Sequence, residues 1–144
     1  MEIFQKTIVL NRKTRGFHLI TNEILQLIPE INKFKTGLAH FLIQHTSAGL
    51  TINENADPTV RQDFESFFNR LVPENPNLYQ HTAEGLDDMT SHIKSTIVGS
   101  TITIPIANGE FNLGTWQGIY LCEFRNRSRS RNIVVTIIGE KYEK

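Results

Sequence analysis

Only one cysteine, Cys122, occurs in the 144 residues, so the chain has no internal disulfide framework to hold it together. Its core must come from packed apolar side chains, and a domain of this size buries roughly two thirds of its unfolded surface without such staples. A lone thiol fits a reducing compartment, and the expected location is the cytoplasm. Net charge is also lacking: 15 Lys and Arg stand against 15 Asp and Glu. No global field draws the protein onto nucleic acid or anionic lipid, so charge must act locally. Long apolar runs are missing too. The opening "MEIFQKTIVLNRK" has no signal-peptide h-region, and nothing approaches the ~18 apolar residues of a membrane span. There is no internal repeat, linker or low-complexity stretch, and the expectation is one domain over residues 1–144.

The remaining sequence alternates strand and helix patterns. Ile3, Gln5, Thr7 and Val9 against Phe4, Lys6, Ile8 and Leu10 read as a strand, with "RGFHLI" as its hairpin partner. Thr21 is a candidate N-cap for a helix carrying Ile24, Ile28 and Ile31, which Pro29 would cut short. "GLAHFLIQ" returns to strand. In "DPTVRQDFESFFNRLVP", Asp57 caps, Pro58 suits the first helical position, and Val60, Phe64, Phe67, Phe68 and Leu71 form an apolar stripe. "GLDDMTSHIKSTIVG" is a shorter helix that Gly99 can end. "STITIPI", "FNLG", "GIYLCEF" and "NIVVTIIGE" are strands, with Asn108-Gly109 the strongest hairpin turn. The expected class is a single α+β domain, mostly antiparallel, with two to three helices.

The stretch "HTSAGLTINENAD", His45 to Asp57, holds a histidine, three hydroxyls, two asparagines and two carboxylates where a buried strand should be. Of five histidines, His45, His81 and His92 lie beside carboxylates outside apolar runs, a donor mix that suits zinc, manganese or iron; ordinary solvated histidines are the alternative. Asp57 is either a helix cap or a ligand-holding group. Asp88 and His92 are four apart, so one helix face would join them, with Asp88 as a simple N-cap the other reading. "RNRSRSR" puts Arg125, Arg127, Arg129 and Arg131 at alternate positions. An extended segment would present all four guanidinium groups to phosphate, and a solvated hairpin turn is the competing reading. No aromatics interleave them, which argues against single-stranded nucleic acid. "HTSAG" lacks the context of a hydrolase nucleophile, and Cys122 suits a small core residue. Trp116 and Gln117, between glycines, offer a stacking ring and an orienting amide, or else a packed sheet corner.

In order, "HTSAGLTINENAD", "DDMTSHIKS", "GSTITIPIANG" and "LGTWQGIYLCEFR" resemble the YjbQ family, sometimes labelled secondary thiamine-phosphate synthase enzymes, over nearly the whole chain. The resemblance implies a compact α+β fold, a homotrimer, and a polar pocket near the histidines suited to a divalent metal such as zinc, manganese or magnesium. It also implies a weak ability to join a pyrimidine diphosphate to a thiazole phosphate with release of pyrophosphate. On that basis His45, Glu54, His81 and His92 are the expected catalytic groups, and His45, His81 and His92 the expected metal ligands. Thr46, Ser47, Asn53, Asp57, Asp88, Trp116, Gln117 and Arg131 are expected at the substrate, with Arg131 on phosphate and Trp116 on a pyrimidine-like ring. Ser47, Ala48 and Gly49 would let backbone approach the ligand. A non-catalytic module binding a phosphorylated metabolite or anion is the alternative. The chain departs from the family in its last loop, where Asn126, Ser128 and Arg129 replace an acidic residue and a Gly-Gly pair, leaving Arg131 without that acidic partner.

Overall fold

The structure is a computed structural model that describes residues 1–143. Eight strands form two antiparallel sheets. The larger, in the order β1-β8-β3-β5-β6, contains β1 (Glu2–Val9), β8 (Asn132–Lys141), β3 (Phe34–Ile43), β5 (Thr101–Ala107) and β6 (Glu110–Phe111). The smaller, in the order β2-β7-β4, contains β2 (Gly16–Leu19), β7 (Gln117–Glu123) and β4 (Ala48–Glu54). Three α-helices occur among the described residues: α1 (Thr21–Leu27), α2 (Pro58–Leu71) and α3 (Asp88–Val98). No helix among these residues is long and apolar enough to cross a membrane.

The sheets stack face to face. Alternate residues of the larger sheet, including Ile8, Ala39, Phe41, Ile104, Ile133, Val135 and Ile137, meet Ala48, Leu50, Ile119 and Leu121 of the smaller one in one continuous core. The other face of β7 carries Tyr120 and Cys122, which join Phe17 and Phe124 beneath Phe64 and Phe68 of α2. Strand β7 is therefore buried on both faces from Gly118 to Glu123, a middle layer between the larger sheet and α2. A charged residue, Glu123, ends that buried run, and this governs the site below.

Several expectations hold. Asp57 caps α2, its carboxylate accepting from the Thr59 amide at 2.9 Å, and Pro58 opens the helix. Asn108 (φ 52°) and Gly109 (φ 77°) make the β5–β6 turn, both in the left-handed region that a type I′ hairpin requires. Gly99 (φ 105°) ends α3. Pro29 starts a short 3-10 turn after α1 ends at Leu27.

Others are corrected. β1 and β2 do not form a hairpin; β1 pairs with β8 and β2 with β7, because alternation marks a strand without naming its partner. Thr21 does not cap α1: its hydroxyl accepts from the Ile119 amide at 2.9 Å, tying the helix to β7. The α2 stripe is only partly used. Phe64 and Phe68 pack inward, whereas Phe67 and Leu71 are more than half exposed, so the helix lies on the sheet by a narrow edge. The arginine-rich segment is neither a strand nor a hairpin turn but a crossover from β7 in one sheet to β8 in the other.

Candidate functional site

Strand β4 pairs with β7 in the register Ala48↔Glu123 to Glu54↔Gln117. Its seven residues put the two ends roughly 20 Å apart at about 3.3 Å per residue. The polar run that looked like one site in the sequence is thereby divided between opposite ends of the small sheet.

At the far end the polar groups hold a turn. Glu54 accepts from the Ala56 amide at 3.0 Å and the Asp57 amide at 3.0 Å. Asn53 accepts from the Glu54 amide at 2.8 Å. Asn55 donates to the carbonyls of Thr115 and Gln117 at 3.2 and 3.1 Å. The Gln117 side chain accepts from the Gly114 amide at 2.8 Å, and Trp116 is 65% exposed with no stacking partner among the described residues. The Thr59 amide and hydroxyl hold the Asp57 carboxyl below its usual range, as a cap does. In this chain Asn53, Glu54, Asp57, Trp116 and Gln117 therefore lie away from the histidines. The reason is local: each carboxylate or amide is consumed by backbone within a few residues or on the paired strand.

At the near end, side chains from distant elements converge. His81, Asp88 and His92 each present one ligand-type atom, all within 4.8 Å of one another. Asp88 opens α3 and is almost fully buried; one of its oxygens lies 2.7 Å from His81 Nε2 and 3.1 Å from His92 Nε2. Its other oxygen receives Arg125. Burial works against ionisation of this carboxyl, but the His81 hydrogen bond and the charges of His92 and Arg125 outweigh it and hold the group below the ordinary carboxylate range. The helical spacing that joins Asp88 to His92 is the one expected, although Asp87, not Asp88, occupies the N-cap position.

His92 is oriented from behind. Its Nδ1 donates to the Thr46 carbonyl at 2.9 Å, and the Ser95 hydroxyl donates to the same oxygen at 2.7 Å. In its neutral form, with the proton on Nδ1, His92 turns an Nε2 lone pair toward an Asp88 oxygen; in its charged form Nε2 donates to that oxygen. Such a contact is favourable only with a proton or a cation between them. An imidazole that gives its second N–H to a backbone carbonyl is the usual support of a metal-ligating histidine.

His45 does not join this group. Its Nε2 accepts the Asn132 amide at 2.8 Å, pinning the ring to the start of β8. Burial first, then the charge of Arg131, lowers its pKa against the pull of Glu123. The group of side chains that could hold a metal among the described residues is two histidines and a carboxylate, and His45 lies outside it. Arg131 is not a free phosphate ligand either. Its Nε and Nη2 donate to the two Glu123 oxygens at 2.7 and 2.6 Å, and Nη2 also donates to Ser47 at 3.0 Å. Glu123 is fully buried, and it supplies the acid missing from the last loop. Gly49 opens space for fold rather than for ligand, since a Cβ there would lie 2.8 Å from the Gly99 carbonyl at the end of α3.

Around the cluster is a cleft of about 600 Å³ lined by Thr46, Ser47, Glu84, Asp88, His92 and all four arginines of the crossover. Arg125 is fixed by Asp87, at 3.4 Å, and Asp88. Arg127 and Arg129 are exposed and make no hydrogen bond or ion pair among the described residues, which leaves their guanidinium groups available to an anion. Sequence reasoning missed Arg125 as the partner of Asp88 and Glu123 as the partner of Arg131. An acid closing an apolar strand, as in "LCEF", signals a buried charge that must be neutralised; the Thr46 carbonyl left no signal.

This chain matches the family described as "UPF0047 protein YjbQ-like" over residues 6–140. It is 53% identical to the UPF0047 protein YjbQ of Escherichia coli O157:H7, over 95% of this chain and 99% of that one. It is 50% identical to the Salmonella typhimurium protein of the same name, with the same coverage of both chains. A solved structure of a YjbQ/UPF0047 family protein from Clostridium acetobutylicum superposes with a TM-score of 0.75 at 35% identity, covering 94% of this chain and 99% of that one. The two-sheet scaffold and the match along nearly its whole length make this chain a member of the YjbQ/UPF0047 family.

Proposed function

We propose that the protein is a metal-assisted enzyme acting on a phosphorylated small metabolite, with His81, Asp88 and His92 as the metal ligands. The convergence of one ligand-type atom each from His81, Asp88 and His92, all within 4.8 Å of one another, carries this reading. The donor set fits. Two imidazoles and one carboxylate suit zinc, manganese or iron better than magnesium, which prefers oxygen. Ligand atoms bound to one ion at about 2.0–2.2 Å sit roughly 3 Å apart, and the Asp88 oxygen lies 2.7 Å from His81 Nε2 and 3.1 Å from His92 Nε2. Such an ion, when bound, would stabilise negative charge building on a phosphate leaving group.

The protein's own residues do the rest. Thr46 and Ser95 fix the His92 tautomer and ring plane. Arg125 keeps Asp88 ionised and in place, and Arg127 and Arg129 receive phosphate oxygens in bidentate fashion. On this reading the joining of a pyrimidine diphosphate to a thiazole phosphate, with pyrophosphate released, is a side activity of the same cleft. The protein works in the cytoplasm as a homotrimer. Support for assembly comes from the outer face of the large sheet, where Ile3, Ile138, Leu38 and Pro105 lie side by side in register and exposed.

Metal titration of the wild type and of His81→Ala, Asp88→Asn and His92→Ala, followed by a pyrophosphate-release assay with the two substrates, tests the proposal. Turnover that needs the metal and disappears in all three folded variants supports it. Turnover that survives Asp88→Asn refutes it.

A further inference from the structure

The arginine cleft does not end at His92. Thr46 and His92 are also part of the wall of a second cleft, of about 920 Å³. The two differ in chemistry. The first holds four arginines and two carboxylates. The second, lined by residues such as Leu42, Ile43, Gln44, His45, Ala48 and Thr96, contains no Lys, Arg, Asp or Glu. A charged group placed there would meet no counter-charge, whereas an uncharged body would bury apolar surface against Leu42, Ile43 and Ala48 at about 25 cal/mol per Å².

His45 adds a directional contact. Because Nε2 accepts the Asn132 amide, the neutral ring carries its proton on Nδ1, and the ring borders the second cleft. It is therefore a hydrogen-bond donor there and not a base.

We infer that the two clefts hold one molecule, a phosphate or diphosphate ester whose anionic end lies against Arg127 and Arg129 and whose uncharged organic body crosses Thr46 and His92 into the second cleft. This rests on the phosphorylated-metabolite reading and narrows its substrate class. Compounds with phosphates at both ends are excluded, and esters of an uncharged ring or chain bearing a hydrogen-bond acceptor for His45 are favoured.

Calorimetric titration of the intact protein with inorganic phosphate and with phenyl phosphate separates the two claims. The wild type binds both, with phenyl phosphate at least about tenfold tighter, a difference of about 1.4 kcal/mol. Thr96→Trp, which places a large side chain in the second cleft from the exposed side of α3, brings phenyl phosphate down to the affinity of inorganic phosphate and leaves inorganic phosphate unchanged; Ser100→Trp does the same from the start of β5. Equal wild-type affinities for the two probes, or tryptophan variants that retain the tenfold preference, overturn the two-cleft inference alone. Failure of the wild type to bind either probe overturns the anion reading of the arginine cleft as well.

Discussion

The two ends of β4 are equally rich in polar groups and differ in where those groups find partners. At the Glu54 end, the side chains of Asn53, Glu54 and Asn55 are satisfied by backbone close by in sequence or in and just before β7. At the Thr46 end, β4 meets α3, the crossover loop and β8, and the contacts span from 46 to 87 positions. Locally satisfied carboxylates shape a turn; the Asp88 carboxylate is instead held between two histidines and an arginine. Composition does not distinguish these cases, but the sequence separation of the partners does.

Substitutions can break or sharpen that comparison. The largest effect is expected at the ligands: Asp88→Asn, with metal content followed by elemental analysis, falls from about one ion per chain to background, because a carboxylate ligand is replaced by a weak amide donor. Next is Arg131→Ala. It leaves the fully buried Glu123 without its bidentate partner and should cost about 3–5 kcal/mol in denaturant unfolding, the range for breaking a buried ion pair. The Glu54 end should respond weakly: Asn55→Ala removes two hydrogen bonds to backbone and costs about 1 kcal/mol, with metal content and phosphate affinity unchanged.

The smallest effect is the pH dependence carried by His45. Its pKa is lowered in the folded state, so the fold favours the neutral ring. Its contribution is present above the unfolded value of about 6.5 and is lost as pH falls below it. The stability difference between wild type and His45→Gln should therefore shrink from pH 7.5 to pH 5.5; a difference that grows would contradict the assigned tautomer.

Much of the fold was legible. Asp57-Pro58 and Asn108-Gly109 specify their local backbone through capping and positive φ, and both elements formed as expected. Strand partners were not legible, since Ile8 and Phe17 carry the same alternation signal whichever sheet receives them. The burial of β7 on both faces likewise depends on α2 covering Tyr120 and Phe124. At the site, Asp88 and His92 were visible because helical spacing joins them. The placement of His45 apart from that cluster was not, because it depends on one backbone amide 87 residues away, that of Asn132. Glu54 differs, since its donors are the amides of Ala56 and Asp57, two and three residues on.

The central claim is that the near-end cluster, and not the histidine trio, holds the metal. Metal bound per chain in folded His45→Ala, set beside His92→Ala, tests it most directly. The account predicts that His45→Ala retains the wild-type ion while His92→Ala loses it; equal loss in both, or no ion bound by the wild type when zinc and manganese are offered, would contradict it.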